Sequence, residues 1–193
     1  MSTTQELHER FEPRPDAKAL TRDDNDTHSV QKDADFEPHP EKSLRISDAH
    51  QSIITRITNL YGGSASEADM QVYDEKAIYD DPLSYCDTRY KIAGQWYGLP
   101  KIFSKLETKA TEVVKDNDEE IVFKMRHEYT LKGVHASRKV DSLVSLGLDP
   151  NGKVKYHKDM WNEKDYSHEG FGKFIKKLNG DKLTGISQPP ESL

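Results

Sequence analysis

The chain has 193 residues, 34% of them hydrophobic and 32% charged, with a mean hydropathy of -0.89 and a formal net charge of -6. That balance is polar for one compact fold, so part of the chain is expected to stay unfolded, and no stretch approaches the roughly 20 apolar residues of a membrane helix. The amino terminus lacks the apolar run of a secretion signal, no long basic run offers a footprint for nucleic acid, and Cys86, the single cysteine, has no partner for an internal disulfide. A reducing interior follows as the expected setting, the cytoplasm first, with the nucleus left open.

Residues 1–45 account for the polarity. They hold 11 acidic and 7 basic residues against 10 hydrophobic ones and no glycine, too little apolar surface to offset the entropy of ordering. This segment reads as a disordered acidic leader, and residues 181–193, ending Gln188-Pro189-Pro190, as a flexible tail. One domain over residues 46–180 remains.

The domain opens with Ile46, Ile53, Ile54, Ile57, Leu60 and Tyr61 on one helical face, which predicts a helix from about Ser47 to Tyr61. Gly62-Gly63 should end it, with the first glycine left-handed, and Ser64-x-x-Glu67 offers a capping box for a short helix carrying Met70 and Tyr73. Ala77 to Asp81 reads as a brief strand stopped by Pro82. Leu99, Ile102, Phe103, Leu106, Ala110 and Val113 keep helical spacing behind Pro100, which predicts a helix over about Leu99 to Val114.

The period then changes to two. Ile121, Phe123, Met125, His127, Tyr129 and Leu131 alternate along a strand, and Val134 to Leu148 alternate along the next after the Lys132-Gly133 turn. Asp149-Pro150-Asn151-Gly152 turns the chain into a third antiparallel strand, Lys153 to Trp161, on which His157, Asp159 and Trp161 share one face and Val154, Tyr156, Lys158 and Met160 the other. Phe171, Phe174, Ile175 and Leu178 suggest a last short helix. Helices followed by strands joined by short turns argue for an α+β fold, an antiparallel sheet covered on one face by helices, with a concave pocket.

Three landmarks in this order resemble the NTF2-like superfamily and, within it, the SnoaL-like or polyketide-cyclase-like proteins. They are Tyr79-Asp80-Asp81-Pro82-Leu83, Gly94-Gln95-Trp96-Tyr97-Gly98, and the hairpin from Asp149 to Trp161. The resemblance implies a cone-shaped α+β barrel, a curved sheet wrapped on N-terminal helices around an apolar cavity, often in a homodimer. It implies no particular reaction, because the superfold hosts isomerases, dehydratases, cyclases and proteins that only bind.

The residues able to carry chemistry each have a structural reading beside the functional one. Asp81, at the mouth of an apolar cavity, suits a base, but an aspartate before proline also starts a turn. Tyr79 is an oxygen binder or amphipathic packing. With the register that the resemblance implies, His157 and Asp159 line the cavity as an acid–base pair, or else belong to a cross-strand network of polar groups in a half-wet sheet. His127 and Tyr129 interrupt an apolar face and must find partners, as must Arg138, for which Asp81 or Asp159 would serve. Trp96 is a pocket lid or helix packing. His127, His135 and His157 lack the spacing of a metal motif, so neither metal nor cofactor is expected. The leading expectation is a pocket that binds a small, largely apolar molecule, with Asp81, His157 and Asp159 as acid or base if it is catalytic. The competing one is a non-catalytic dimerisation or adaptor module.

Overall fold

A computed structural model describes residues 35–133, 137–161 and 187–190. Ser47 opens helix α1, Asp48–Tyr61, where its hydroxyl accepts the His50 amide hydrogen at 3.1 Å. The buried residues of α1 are Ile53, Ile54, Ile57, Leu60 and Tyr61, the face that the spacing picks out. The helix ends at Tyr61 as expected, but the left-handed residue falls one position later. Gly62 keeps φ -71°, and Gly63 takes the left-handed conformation at φ 77°. A Cβ at Gly63 would lie 2.8 Å from Leu106 Cδ1, so Gly63→Ala should cost about 1–2 kcal/mol in urea unfolding, with Gly62→Ala costing less.

The cap of the short helix α2, Glu67–Met70, also shifts. Ser66 rather than Ser64 caps it by accepting from the Asp69 amide, and the Ser64 hydroxyl donates to Asp69 Oδ2 at 2.9 Å. Tyr73 lies outside α2 and begins strand β1, Tyr73–Asp80, which ends one residue before the Asp81-Pro82 turn. After β2, Tyr85–Cys86, Thr88 caps helix α3, Arg89–Ile102, with its hydroxyl on the Lys91 amide at 3.3 Å.

Here the sequence reading fails. The helix expected over Leu99 to Val114 lies ten residues earlier, Pro100 sits in its last turn rather than its first, and Phe103–Asn117 forms the 15-residue strand β3. The cause is in the pairing of β3 with β4. Register shifts between Phe103 and Lys105, Thr108 and Ala110, and Val113 and Lys115 each displace the alternation by one. Three such bulges turn a two-residue period into three- and four-residue spacings that imitate a helix, while the backbone satisfies its hydrogen bonds in a ladder along the whole strand.

Strands β4, Glu120–Leu131, β5, Ser137–Leu148, and β6, Val154–Trp161, form the expected meander. The six strands lie in the order β2-β1-β6-β5-β4-β3. The α+β class is as expected, but the sheet is mixed. β6 runs parallel to β1, pairing Tyr79 with His157 and Asp80 with Lys158, and among the described residues the sheet does not close. A second difference arises at Lys155, which the β5–β6 register skips. That bulge moves Val154 into the main core, away from Tyr156, which packs with Ile78 and Tyr85 on the other face.

The main core lies between the sheet and helices α1 and α3, where Ile57, Leu60, Ile92, Trp96, Phe123 and Leu146 are all at most 2% exposed. Residues 35–44, within the span read as leader, run along the edge strand β3. The Leu44 amide donates to the Val113 carbonyl at 3.0 Å, Ser43 Oγ accepts the Val113 amide, and the His39 amide donates to Glu112. Asp35 and Glu37 pair with Lys124 and Arg126, and Phe36 is buried. This strap occupies hydrogen-bonding groups that a bare edge would offer to another chain. The helix expected around Phe171 to Leu178 lies outside the described residues, as does most of the leader. Among the described residues no helix is long and apolar enough to cross a membrane.

Candidate functional site

Parallel pairing of β1 with β6 sets Tyr73, Tyr79, His157 and Asp159 on the face that α1 and α3 cover, and the last residue of α1 brings Tyr61 onto them. Tyr61 donates to Asp159 Oδ2 at 2.6 Å, and Trp161 Nε1 donates to the same oxygen at 3.0 Å. His157 lies between two tyrosines, its Nε2 3.3 Å from the Tyr61 hydroxyl and its Nδ1 2.8 Å from that of Tyr73. Donor counting assigns the tautomer. With the Tyr61 proton committed to the carboxylate, its oxygen accepts from His157 Nε2–H, and Nδ1 accepts from Tyr73. The result is one directed chain, Tyr73 to His157 to Tyr61 to Asp159.

Asp81 stands beside this chain. Its Oδ2 accepts from Tyr79 at 2.6 Å, and its Oδ1 accepts the amide hydrogens of Leu83 at 2.7 Å and Ser84 at 2.5 Å. Asp81 thus organises its own turn, as the structural reading has it, and it is also buried. Burial raises its pKa to about 6, the hydrogen bond from Tyr79 works against that, and the Asp159 charge adds to it. Asp159 is also raised by burial, opposed by the hydrogen bonds from Tyr61, Trp161 and Ser142.

The histidines move the other way. Burial lowers His157 to about 3 and His127 to about 4, so both are neutral at pH 7. His127 Nδ1 lies 3.1 Å from Thr108 Oγ1, and its ring lies 4.6 Å from that of Tyr129, tilted by 56°. Three buried polar atoms of the cluster meet no hydrogen-bond partner, His127 Nε2, Asp159 Oδ1 and Trp96 Nε1. Buried polar atoms are rarely left so.

Trp96 packs against Tyr61 at 4.7 Å and Tyr79 at 5.3 Å between ring centroids, 2% exposed, so it is a wall of the cluster and not an outer lid. Tyr129 and Trp161 are half-buried at the rim. Arg138 does not take the buried place expected of it. It lies opposite Tyr129 in the β4–β5 register but is exposed, because β5 there has run past the end of β6. Its guanidinium stays in water, which removes the need for a buried carboxylate partner. Cys86 is buried, and burial raises its thiol well above the usual range, which leaves it unreactive. Among the described residues no group of three His, Cys, Asp or Glu is placed to hold a metal.

No protein-family model matches the sequence, and no curated protein is similar to it by sequence. Solved structures are similar in fold. An NTF2-like protein from Anabaena variabilis aligns at TM-score 0.52 and 13% identity over 61% of this chain and 93% of its own. A protein with a ketosteroid isomerase-like fold from Catenulispora acidiphila, solved in complex with trimethylamine, aligns at 0.50 and 15% identity over 60% and 85%. The fold is NTF2-like. A putative isomerase of the SnoaL-like family from Agrobacterium tumefaciens aligns at 0.47 and 13% identity over 60% and 98%.

In this NTF2-like fold the structure gathers Asp81, His157, Asp159, Tyr79, Trp96, His127, Tyr129 and Trp161 at one place and leaves Arg138 at the rim. The sequence reading missed Tyr61 and Tyr73, taking both for helix residues. The signal was present in Tyr61, a hydroxyl at the end of an otherwise aliphatic buried stripe, the same anomaly that singled out His127.

Proposed function

We propose that this cluster binds a small, largely apolar molecule and moves a proton on it without a cofactor, as an isomerase, dehydratase or cyclase does. The observation that carries the reading is the set of unpartnered buried atoms, His127 Nε2, Asp159 Oδ1 and Trp96 Nε1, within a wall of aromatic rings. A ligand with one polar group would satisfy them while its apolar body met Trp96 and the tyrosines. Asp81, with a pKa of about 6, exchanges its proton near neutrality and suits the base. His157, held neutral between two tyrosines, orients Tyr61 and is a positioning residue.

Native mass spectrometry of the full chain, before and after denaturation, tests this. The expected result is a folded protein, as a homodimer, that releases a defined small compound, which Asp159→Asn and His127→Phe each lose. A folded protein that carries nothing, and whose thermal stability no apolar alcohol or ketone raises, would favour the adaptor reading instead.

A further inference from the structure

The charge of the cluster says more about its ligand. Two carboxylates, Asp81 at 7% and Asp159 at 1% exposure, lie against Tyr61, Tyr79, Trp96 and Trp161. The two histidines beside them are neutral, because a proton on either would be desolvated. Of the cations, Lys158 points to the opposite face of the sheet and pairs with Asp80, and Arg138 is exposed at the rim. Lys158 acts on the Asp159 charge from that far face, and Arg89 is held on the Tyr73 carbonyl at 3.2 Å, so the helix-facing side presents two carboxyl groups and ring faces, and among the described residues neither carboxyl has a salt bridge. A buried negative charge is costly, and aromatic faces attract a cation that comes to relieve it.

We propose that the molecule bound in this cluster carries an organic ammonium group, seated against Asp159 Oδ1 and the Trp96 and Tyr79 rings. This rests on the ligand-site reading above and specifies the polar end of that ligand. The free Asp159 oxygen is 1% exposed and is the group an ammonium would meet. Ser142, Tyr61 and Trp161 are the hydrogen-bonding neighbours of that carboxylate, and Tyr79 with the Leu83 and Ser84 amides those of Asp81. These are dipoles, and none of them neutralises a charge. A trialkylammonium head suits the site better than a primary amine, since most of the wall is ring surface and only one carboxylate oxygen is unpartnered.

The test compares choline with 3,3-dimethylbutan-1-ol, its neutral carbon isostere, by calorimetric titration of the full chain. Choline keeps its charge at every pH, so any change with pH reports the protein. At pH 8 choline is expected to bind about tenfold more tightly than the alcohol. The preference should shrink toward parity at pH 5, and Asp81→Asn should shrink it at pH 8, whereas Glu75→Gln, at an exposed surface carboxylate, should leave it unchanged. Equal or tighter binding of the alcohol at pH 8 overturns the ammonium assignment and leaves the apolar ligand site standing. Binding of neither compound overturns both.

Discussion

Lys158→Met is expected to lower the stability of the fold by about 3–5 kcal/mol, the largest loss from any single substitution considered for this protein. Lys158 Nζ lies 3.0 Å from Asp80 Oδ2, and both side chains are fully buried where β6 runs parallel to β1. Neither charge has water to return to. Removing the lysine takes its ammonium from a fully buried carboxylate on the face of the apolar cluster Ile78, Tyr85 and Tyr156. The double substitution Asp80→Leu/Lys158→Met removes both charges, so it should fall within about 1 kcal/mol of the wild type or exceed it. Urea unfolding of the two single variants and the double closes the cycle. A double variant as unstable as the worse single one would show that the ion pair itself holds the β1–β6 ladder together.

The second large effect is on pH. Asp81 is raised from 3.8 to about 6 in the fold, so the stability it permits is complete below pH 3.8 and is lost as the pH climbs through 6. The loss amounts to about 3 kcal/mol at pH 8. His127 and His157 are lowered from 6.5 to about 4 and about 3, so their share is complete above pH 6.5 and is lost as the pH falls. Between pH 6 and 4 the two histidines therefore favour unfolding as the pH falls, and the protons that Asp81 and the likewise raised Asp159 take up in the fold oppose them. Asp81→Asn removes one of the opposing groups. It should stabilise the protein by up to about 3 kcal/mol at pH 8, lose that advantage near pH 4, and steepen the acid limb. Denaturation midpoints at pH 8, 6 and 4.5 for both proteins measure this. If Asp81 is the base proposed above, the more stable variant will be the less active one.

Strands β4, β5 and β6 were legible because their alternation is regular and their turns are short and specific, and α1 because its apolar stripe and its Ser47 cap agree. Strand β3 was not, since a bulged strand carries its period in the partner's register and not in its own residues. The same holds in miniature at Lys155, where one skipped residue reverses the face of Val154. The candidate residues on the strands lie on the faces expected of them, because position on a strand fixes the face. Tyr61 and Tyr73 were missed because their roles come from a contact between chain segments nearly a hundred residues apart, which no local pattern encodes. Arg138 was misplaced for the converse reason. Its face was right, but how far β6 extends alongside β5 decides whether that face is covered.

The parallel ladder between β1 and β6 joins residues such as Tyr79 and His157 that are far apart along the chain. Loop closure over such a span is slow, whereas the β3–β4–β5–β6 meander is local and able to form early. During synthesis β1 leaves the ribosome long before its partner and must wait, with Asp80 unpaired and one edge open, until Trp161 has emerged. The cluster around His157 and Asp159 consequently cannot assemble before β6 has emerged. A chain interrupted before Val154 would display an unfinished β5 margin together with the waiting β1, two sticky surfaces that invite capture by chaperones or by one another.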